Sequence, residues 1–339
     1  MGSNNQSAAA AIAPTLTRII EVAKLPGSLW NAASRCLHIA PELAATYCAK
    51  IAEYGLIQVA HERSAKEGPA GGLSQEETDK HFAQQFDGSV ARAQLALLDP
   101  HEQVTHVADG LARLLAGGKI AILDLPSGAG ALAISLLSTI AELRAQEVLP
   151  RQPLDVVLVG GELSDPARTY ADALFATMIP SLAAQAIFVT HTQTSWDVCD
   201  QVSTTSLLQL FMKVSADSEQ RAVVVSNFSD FLNRNGKRRE AERQLHDIFR
   251  FCSSATVPAA AIWMEPQTNS AVGPGGAFRW LVDTVVGKIA KFARVFVGGT
   301  KTESPVAETA ASFVKPLAPQ TTAPVRLAVL RFDLTQVSP

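Results

Sequence analysis

From Gly118 onward the chain repeats one alternation, a short apolar run followed by ten or more residues of helical pattern, and this restricts it to an α/β architecture. The runs are KIAILD (119–124), DVVLVG (155–160), AIFVT (186–190), AVVVS (222–226), AAAIWM (259–264) and VRLAVLRFD (325–333). Their continuous apolar character suits parallel strands covered on both faces. The stretches Ala131 to Ala145, Asp165 to Met178, Ser203 to Val214 and Lys237 to Phe251 predict crossover helices, and right-handed crossovers wind such strands into a doubly wound sheet. One more strand, around Ser312 to Lys315, pairs with the last run to close the sheet edge, giving a mostly parallel sheet of about seven strands. Gly298 to Pro305 and Pro316 to Pro324 read as loops.

The preceding region has a different period. Residues 1–14, MGSNNQSAAAAIAP, carry no periodic pattern and read as a disordered tail. Residues 15–117 read as a helical extension without strands, broken at Pro26-Gly27, at 68–72 and at Asp99-Pro100. Ser74 followed by Glu77 is a capping box, and the helix it starts carries His81, Phe82 and Phe86. Residues 118–339 then form the α/β domain.

Composition narrows the function classes. With 47% apolar and 18% charged residues among 339, the chain has material for a large core, and its formal charge of -3 supplies no global basic field. The most basic stretch, 234–243, together with Lys288, Lys291, Arg294 and Lys301, is a nucleic-acid contact or simply a solvated helix face. Cys36, Cys48, Cys199 and Cys252 lie far apart, and the seven histidines show no ligand spacing, so neither a metal site nor a disulfide framework is expected. The N-terminus has no basic n-region and no apolar stretch long enough for a secretory signal or a span, so a cytoplasmic protein with no membrane partner is expected. Oligomeric state is not legible.

The stretch Asp124-Leu125-Pro126-Ser127-Gly128-Ala129-Gly130 ends an apolar strand in a carboxylate and turns through small residues into a helix. Such a turn lets a ligand approach the backbone, and the amides of the helix start face it. Here the chain resembles the class I (Rossmann-like) S-adenosylmethionine-dependent methyltransferases, whose first motif is an acid near the end of the first strand followed by G-x-G-x-G. Pro126 stands at the first glycine's place, where it fixes φ and removes a donor.

The resemblance implies S-adenosylmethionine as cofactor, held by Asp124, Pro126, Ser127, Gly128, Ala129 and Gly130. It implies that Glu162, after the second strand, receives the ribose hydroxyls. After the third strand, Trp196 or Val198 would stack on adenine and Asp197 would accept from its amino group. Phe82 and Phe86 would cover the sulfonium, and Arg92 would meet the methionyl carboxylate. Ser226, Asn227, Phe228 and Asp230, after the fourth strand, would face the methyl acceptor. The expected reaction is direct in-line methyl transfer without a covalent protein nucleophile. Where the acceptor needs a base, His191, Asp230 or Glu265 is a candidate. The acceptor class, whether RNA, protein or small molecule, stays open. The same letters also read as a dinucleotide fingerprint, so two rivals remain: an NAD(P)-dependent oxidoreductase, and a methyltransferase-like interaction protein without turnover.

Overall fold

The computed structural model describes residues 18–62, 73–234, 236–254, 256–268, 276, 280–281, 294–295 and 306–334. In chain order the strands are β1 (Trp30–Asn31), β2 (Cys36–His38), β3 (Gly118–Leu125), β4 (Leu154–Gly161), β5 (Ile187–Thr194), β6 (Gln220–Ser226), β7 (Ala259–Pro266), β8 (Arg294–Val295), β9 (Val306–Lys315) and β10 (Ala318–Asp333). The helices are α1 (Pro41–Glu53), α2 (Ile57–His61), α3 (Gln75–Leu98), α4 (Thr105–Leu114), α5 (Ala131–Ala145), α6 (Asp165–Ala184), α7 (Gln201–Val214), α8 (Ser229–Arg234) and α9 (Arg238–Cys252).

All ten strands join one mixed sheet in the order β1-β2-β9-β10-β7-β6-β3-β4-β5, with β8 added on β10. The central five, β5-β4-β3-β6-β7, are parallel. The chain leaves β3 for β4 on one side and later returns to β6 on the other, so the strand order reverses between β3 and β6. Ligands of open α/β sheets sit at the carboxyl ends of the strands flanking such a reversal.

Alternate side chains of the central strands feed two cores. Ile120, Ile122, Val156, Leu158, Val224 and Ile262 face the layer made by α1 to α6, and Ala121, Leu123, Val159, Val223, Val225 and Trp263 face α7 and α9. This two-sided burial is why the strand sequences are apolar without alternation. α5 is buried nearly all round, from Leu132 to Ile140, because it is sandwiched between the sheet and α3. α9 buries one stripe, Ala241, Leu245, Ile248, Phe249 and Cys252, and its charges occupy the rest.

Three expectations require correction. The sheet holds ten strands among the described residues where about seven were expected, because β1, β2 and β8 add to it. The N-terminal region is not strand-free: β1 pairs with β2, and β2 runs parallel to β9 at the sheet edge. Strands of two and three residues carry no readable period. Nor is Pro316 to Pro324 all loop. β10 begins at Ala318 and absorbs a register irregularity between Ala318 and Thr322. Pro324 is tolerated because β10 pairs with β7 only from Leu327 onward, leaving one side of the proline open. Gly298 to Pro305, Lys288, Lys291 and Lys301 lie outside the described residues.

α3 is the element that makes the site. At 24 residues it is about 36 Å long and crosses the strand ends. Ser74 and Glu77 form its reciprocal cap. It is tied to α5 by the Ser135 hydroxyl, which donates to the Val90 carbonyl at 2.7 Å. Among the described residues no helix is long and apolar enough to cross a membrane, and all four cysteines are free thiols.

Candidate functional site

A cleft lies between α3 and the carboxyl ends of β3, β4 and β6. Its lining comes from α3 (Thr78, His81, Phe82, Phe86, Ser89), the loop after β3 (Pro126 to Ala129), the β4 end (Glu162, Ser164) and the β6 end (Ser226, Asn227). The empty space amounts to about 670 Å³ with the open mouth included.

The loop after β3 turns through two left-handed glycines, Gly128 (φ 52°) and Gly130 (φ 78°). A Cβ on Gly130 would meet the Phe175 ring at 3.0 Å, whereas one on Gly128 would meet nothing within 4 Å. Gly130 is therefore glycine for packing, and Gly128 leaves the loop surface open. The Ser127 amide donates to the Gly161 carbonyl and the Gly130 amide to the Ser127 carbonyl, which close the turn.

Glu162 holds this loop from the side. Its Oε2 accepts the Gly128 amide at 3.0 Å and its Oε1 accepts the Ser164 amide at 2.8 Å. Burial raises its pKa, opposed by hydrogen bonds from the amides of Ser164, Gly128 and Leu163 and by the charge of Arg168. A carboxylate offers about four acceptor positions. With two of them taken by the amides of Gly128 and Ser164, Glu162 keeps about two acceptor positions for further donors.

Asp124 lies beneath the loop, 1% exposed. Burial pushes its pKa well up, against a hydrogen bond from the Ala133 amide and reinforced by the charge of Glu162. Its Oδ1 has no partner. It supports the α5 start from below rather than lining the cleft.

On the opposite wall, Thr78 and Ser164 hydroxyls meet at 3.1 Å, and Phe82 and Phe86 stand 5.1 Å apart by ring centroids, backed by Tyr47. His81 also lines the cleft, although no ligand spacing in the sequence marks it. Burial, with a smaller contribution from the Arg92 charge, lowers its pKa to about 4, so it is neutral near pH 7. Thr78 and Ser89 line the cleft from α3 together with Phe82 and Phe86, and nothing in the sequence set that face against β6.

Asn227 and Ser89 make that closure. The Asn227 Nδ2 donates to Ser89 Oγ at 3.1 Å, as does Arg92 Nη2 at 2.9 Å, and the Ser89 hydroxyl donates to the Gln85 carbonyl. Asn227 is held at φ 55°, and its Oδ1 is buried without a partner.

Several expected residues lie elsewhere. Trp196 is 2% exposed, its indole N–H donates to Thr204 Oγ1, and it packs in the core with Phe228, so its ring has no free face for adenine. Val198 is buried in the same core. Asp197 accepts the Cys199 amide and serves the turn into α7. Phe228 is stacked on Phe231 in that core, so it does not face an acceptor. Arg92 braces Ser89 and lies in the fields of Glu265 and Asp87, with burial lowering its pKa to about 10; it is outside the cleft lining. Glu265 is 2% exposed, and its Oε1 accepts from the amides of Phe228 and Ser229 and from the Trp263 indole, which commits it to structure and not to base catalysis. His191 lies behind the glycine loop. The side chain of Asp230 lies outside the described residues.

In the basic stretch, Lys237 pairs with Glu240 and Arg238 lies over the Trp280 ring at 5.9 Å, both local commitments. Among the described residues no group of three or more His, Cys, Asp or Glu side chains comes together as a metal site. No protein-family model matches the chain, and no curated protein matches it.

Proposed function

We propose that the cleft binds S-adenosylmethionine and that the protein is a methyltransferase. The observation that carries this reading is the Gly128 to Glu162 hydrogen bond, which puts a carboxylate against the glycine loop at the point of strand-order reversal.

That contact argues against the dinucleotide alternative. A pyrophosphate on such a loop is cradled by free amides and by a helix N-terminus. Here the Gly128 amide is consumed by a carboxylate, the Ala133 amide serves Asp124, and the Ser127 hydroxyl donates to Gln193 at 2.9 Å. An anion would meet acceptors. The sheet also departs from the dinucleotide order of six parallel strands, since antiparallel β10 lies next to β7 and β9 follows it.

Bound there, the sulfonium supplies an activated methyl group, a good leaving-group arrangement already in the cofactor. The chain's own residues do the rest. Glu162 receives a hydroxyl, Ser127 accepts an N–H or O–H from the cofactor's polar end, and Phe82 and Phe86 provide an apolar wall that excludes water. Ser226 and Asn227, which line the cleft at the end of β6, hold the acceptor side. Alignment is the main contribution, and near-attack geometry alone is worth several powers of ten in rate.

Calorimetric titration tests binding: S-adenosylhomocysteine should bind, and NAD and NADP should not. Transfer of labelled methyl to whole-cell RNA, protein and small-molecule fractions then identifies the acceptor. Binding with no transfer to any fraction would favour the interaction-protein alternative, and failure to bind S-adenosylhomocysteine would remove the proposal.

A further inference from the structure

Behind the glycine loop runs a chain of side chains of which the function above uses only Ser127. Asp172 and Phe175 project from α6, His191 and Gln193 share one face of β5, and Ser127 ends the series at the cleft. His191 Nδ1 is 3.3 Å from Asp172 Oδ1, His191 Nε2 is 3.0 Å from Gln193 Nε2, and Gln193 Oε1 accepts the Ser127 hydroxyl at 2.9 Å. The imidazole is stacked on Phe175 at 4.1 Å between centroids, and its side chain is 5% exposed. Gln193 lies over Gly160, where any Cβ would collide with its amide. The Gly130 contact with Phe175 packs the same assembly against the α5 start.

The direction of the protons follows from the outer end. Two arrangements are self-consistent along the chain, one the reverse of the other, because an amide and an imidazole can each turn donor into acceptor. The Asp172 carboxylate chooses between them. Standing 3.3 Å from Nδ1, its negative charge favours the ring proton there, which leaves Nε2 bare to accept the Gln193 amide N–H. Gln193 Oε1 must then accept from Ser127, whose proton points away from the cleft.

We propose that Asp172, His191 and Gln193 form a positioning relay that holds Ser127 as a hydrogen-bond acceptor toward the cleft, selecting a ligand that presents an N–H or O–H group there and rejecting one that presents a phosphate. The inference rests on the assignment of this cleft to S-adenosylmethionine. It adds the residues that set the polarity of its wall, none of which touches the ligand except Ser127.

Two measurements test it. Nitrogen-15 spectra of histidine-labelled protein at pH 7 should show His191, assigned by its loss in His191→Phe, as the Nδ1–H tautomer; an Nε2–H tautomer means the relay runs in reverse and overturns the proposal. Calorimetry with S-adenosylhomocysteine should show about tenfold weaker binding for both Ser127→Ala and Gln193→Leu, roughly one hydrogen bond's worth. The double variant should be no weaker than either single one, as expected of groups acting in series. Gln193→Glu, which still accepts the Ser127 hydroxyl, should recover most of the affinity. Wild-type affinity in a folded Gln193→Leu protein overturns the relay. If wild-type protein ignores S-adenosylhomocysteine, the proposed function falls, and the tautomer alone then decides the relay.

Discussion

The backbone amide of Gly128 donates to Oε2 of Glu162 at 3.0 Å, so the end of β4 sets the shape of the loop that follows β3. Two adjacent strand ends are thereby joined by one charged hydrogen bond at the cleft floor. Glu162→Gln cannot replace it, because a glutamine must aim its amide donors at one of the backbone donors the carboxylate now receives. The expected cost is about 2 kcal/mol of stability, with at least tenfold weaker binding of S-adenosylhomocysteine. Urea unfolding and calorimetry on the same preparation check both.

Gly128 and Gly130 look alike in sequence and differ in what surrounds them. Gly130→Ala combines left-handed strain with a 3.0 Å approach to Phe175, and should cost about 2 to 3 kcal/mol. Gly128→Ala meets open space and should cost only the strain, about 1 to 2 kcal/mol. Its methyl group alters the loop surface at the cleft, so its larger effect should be on ligand affinity. Thermal melts with and without S-adenosylhomocysteine separate the two: the ligand-induced rise in Tm should survive better in Gly130→Ala than in Gly128→Ala.

Trp196 separates core from site. Its ring fills the core shared with Phe228, and its N–H is spent on Thr204. Trp196→Phe should lose about 2 kcal/mol through volume and the unpaired hydroxyl, leaving affinity for S-adenosylhomocysteine unchanged. A selective loss of affinity with full stability would return the ring to the ligand.

The central sheet and the glycine loop were legible because both rest on local pattern. Continuous apolar runs mark buried parallel strands, and small residues between strand and helix mark a ligand turn. The outer parts were not. β1 and β2 are too short to show a period, Pro180 hid the last turn of α6 inside a helix that continues to Ala184, and Pro324 disguised a strand whose proline side happens to be open. Within the site, Glu162 followed from its place after a strand. Thr78, His81 and Ser89 depended on which face of α3 meets β6, a long-range fact. Trp196 failed as a site residue for a related reason: a strand-end aromatic points either into the cleft or into the core below it, and sequence does not fix which.

His81 makes stability depend on pH in a direction that can be worked out. Burial and the Arg92 charge hold its folded pKa near 4, against 6.5 for the free side chain. Above pH 6.5 the ring is neutral in both states and contributes nothing. As pH falls from 6.5 toward 4 the unfolded chain binds a proton that the folded chain refuses, so stability is lost across that window. By pH 5 the loss amounts to about 2 kcal/mol. The buried carboxylates Asp124, Glu162 and Glu265, whose pKa values are raised, act in the opposite sense but are common to wild type and variant. His81→Gln should therefore gain about 2 kcal/mol relative to wild type between pH 7 and pH 5, read as the change in the difference of their urea midpoints. An unchanged difference would place His81 in contact with water and outside the enclosed wall of the cleft.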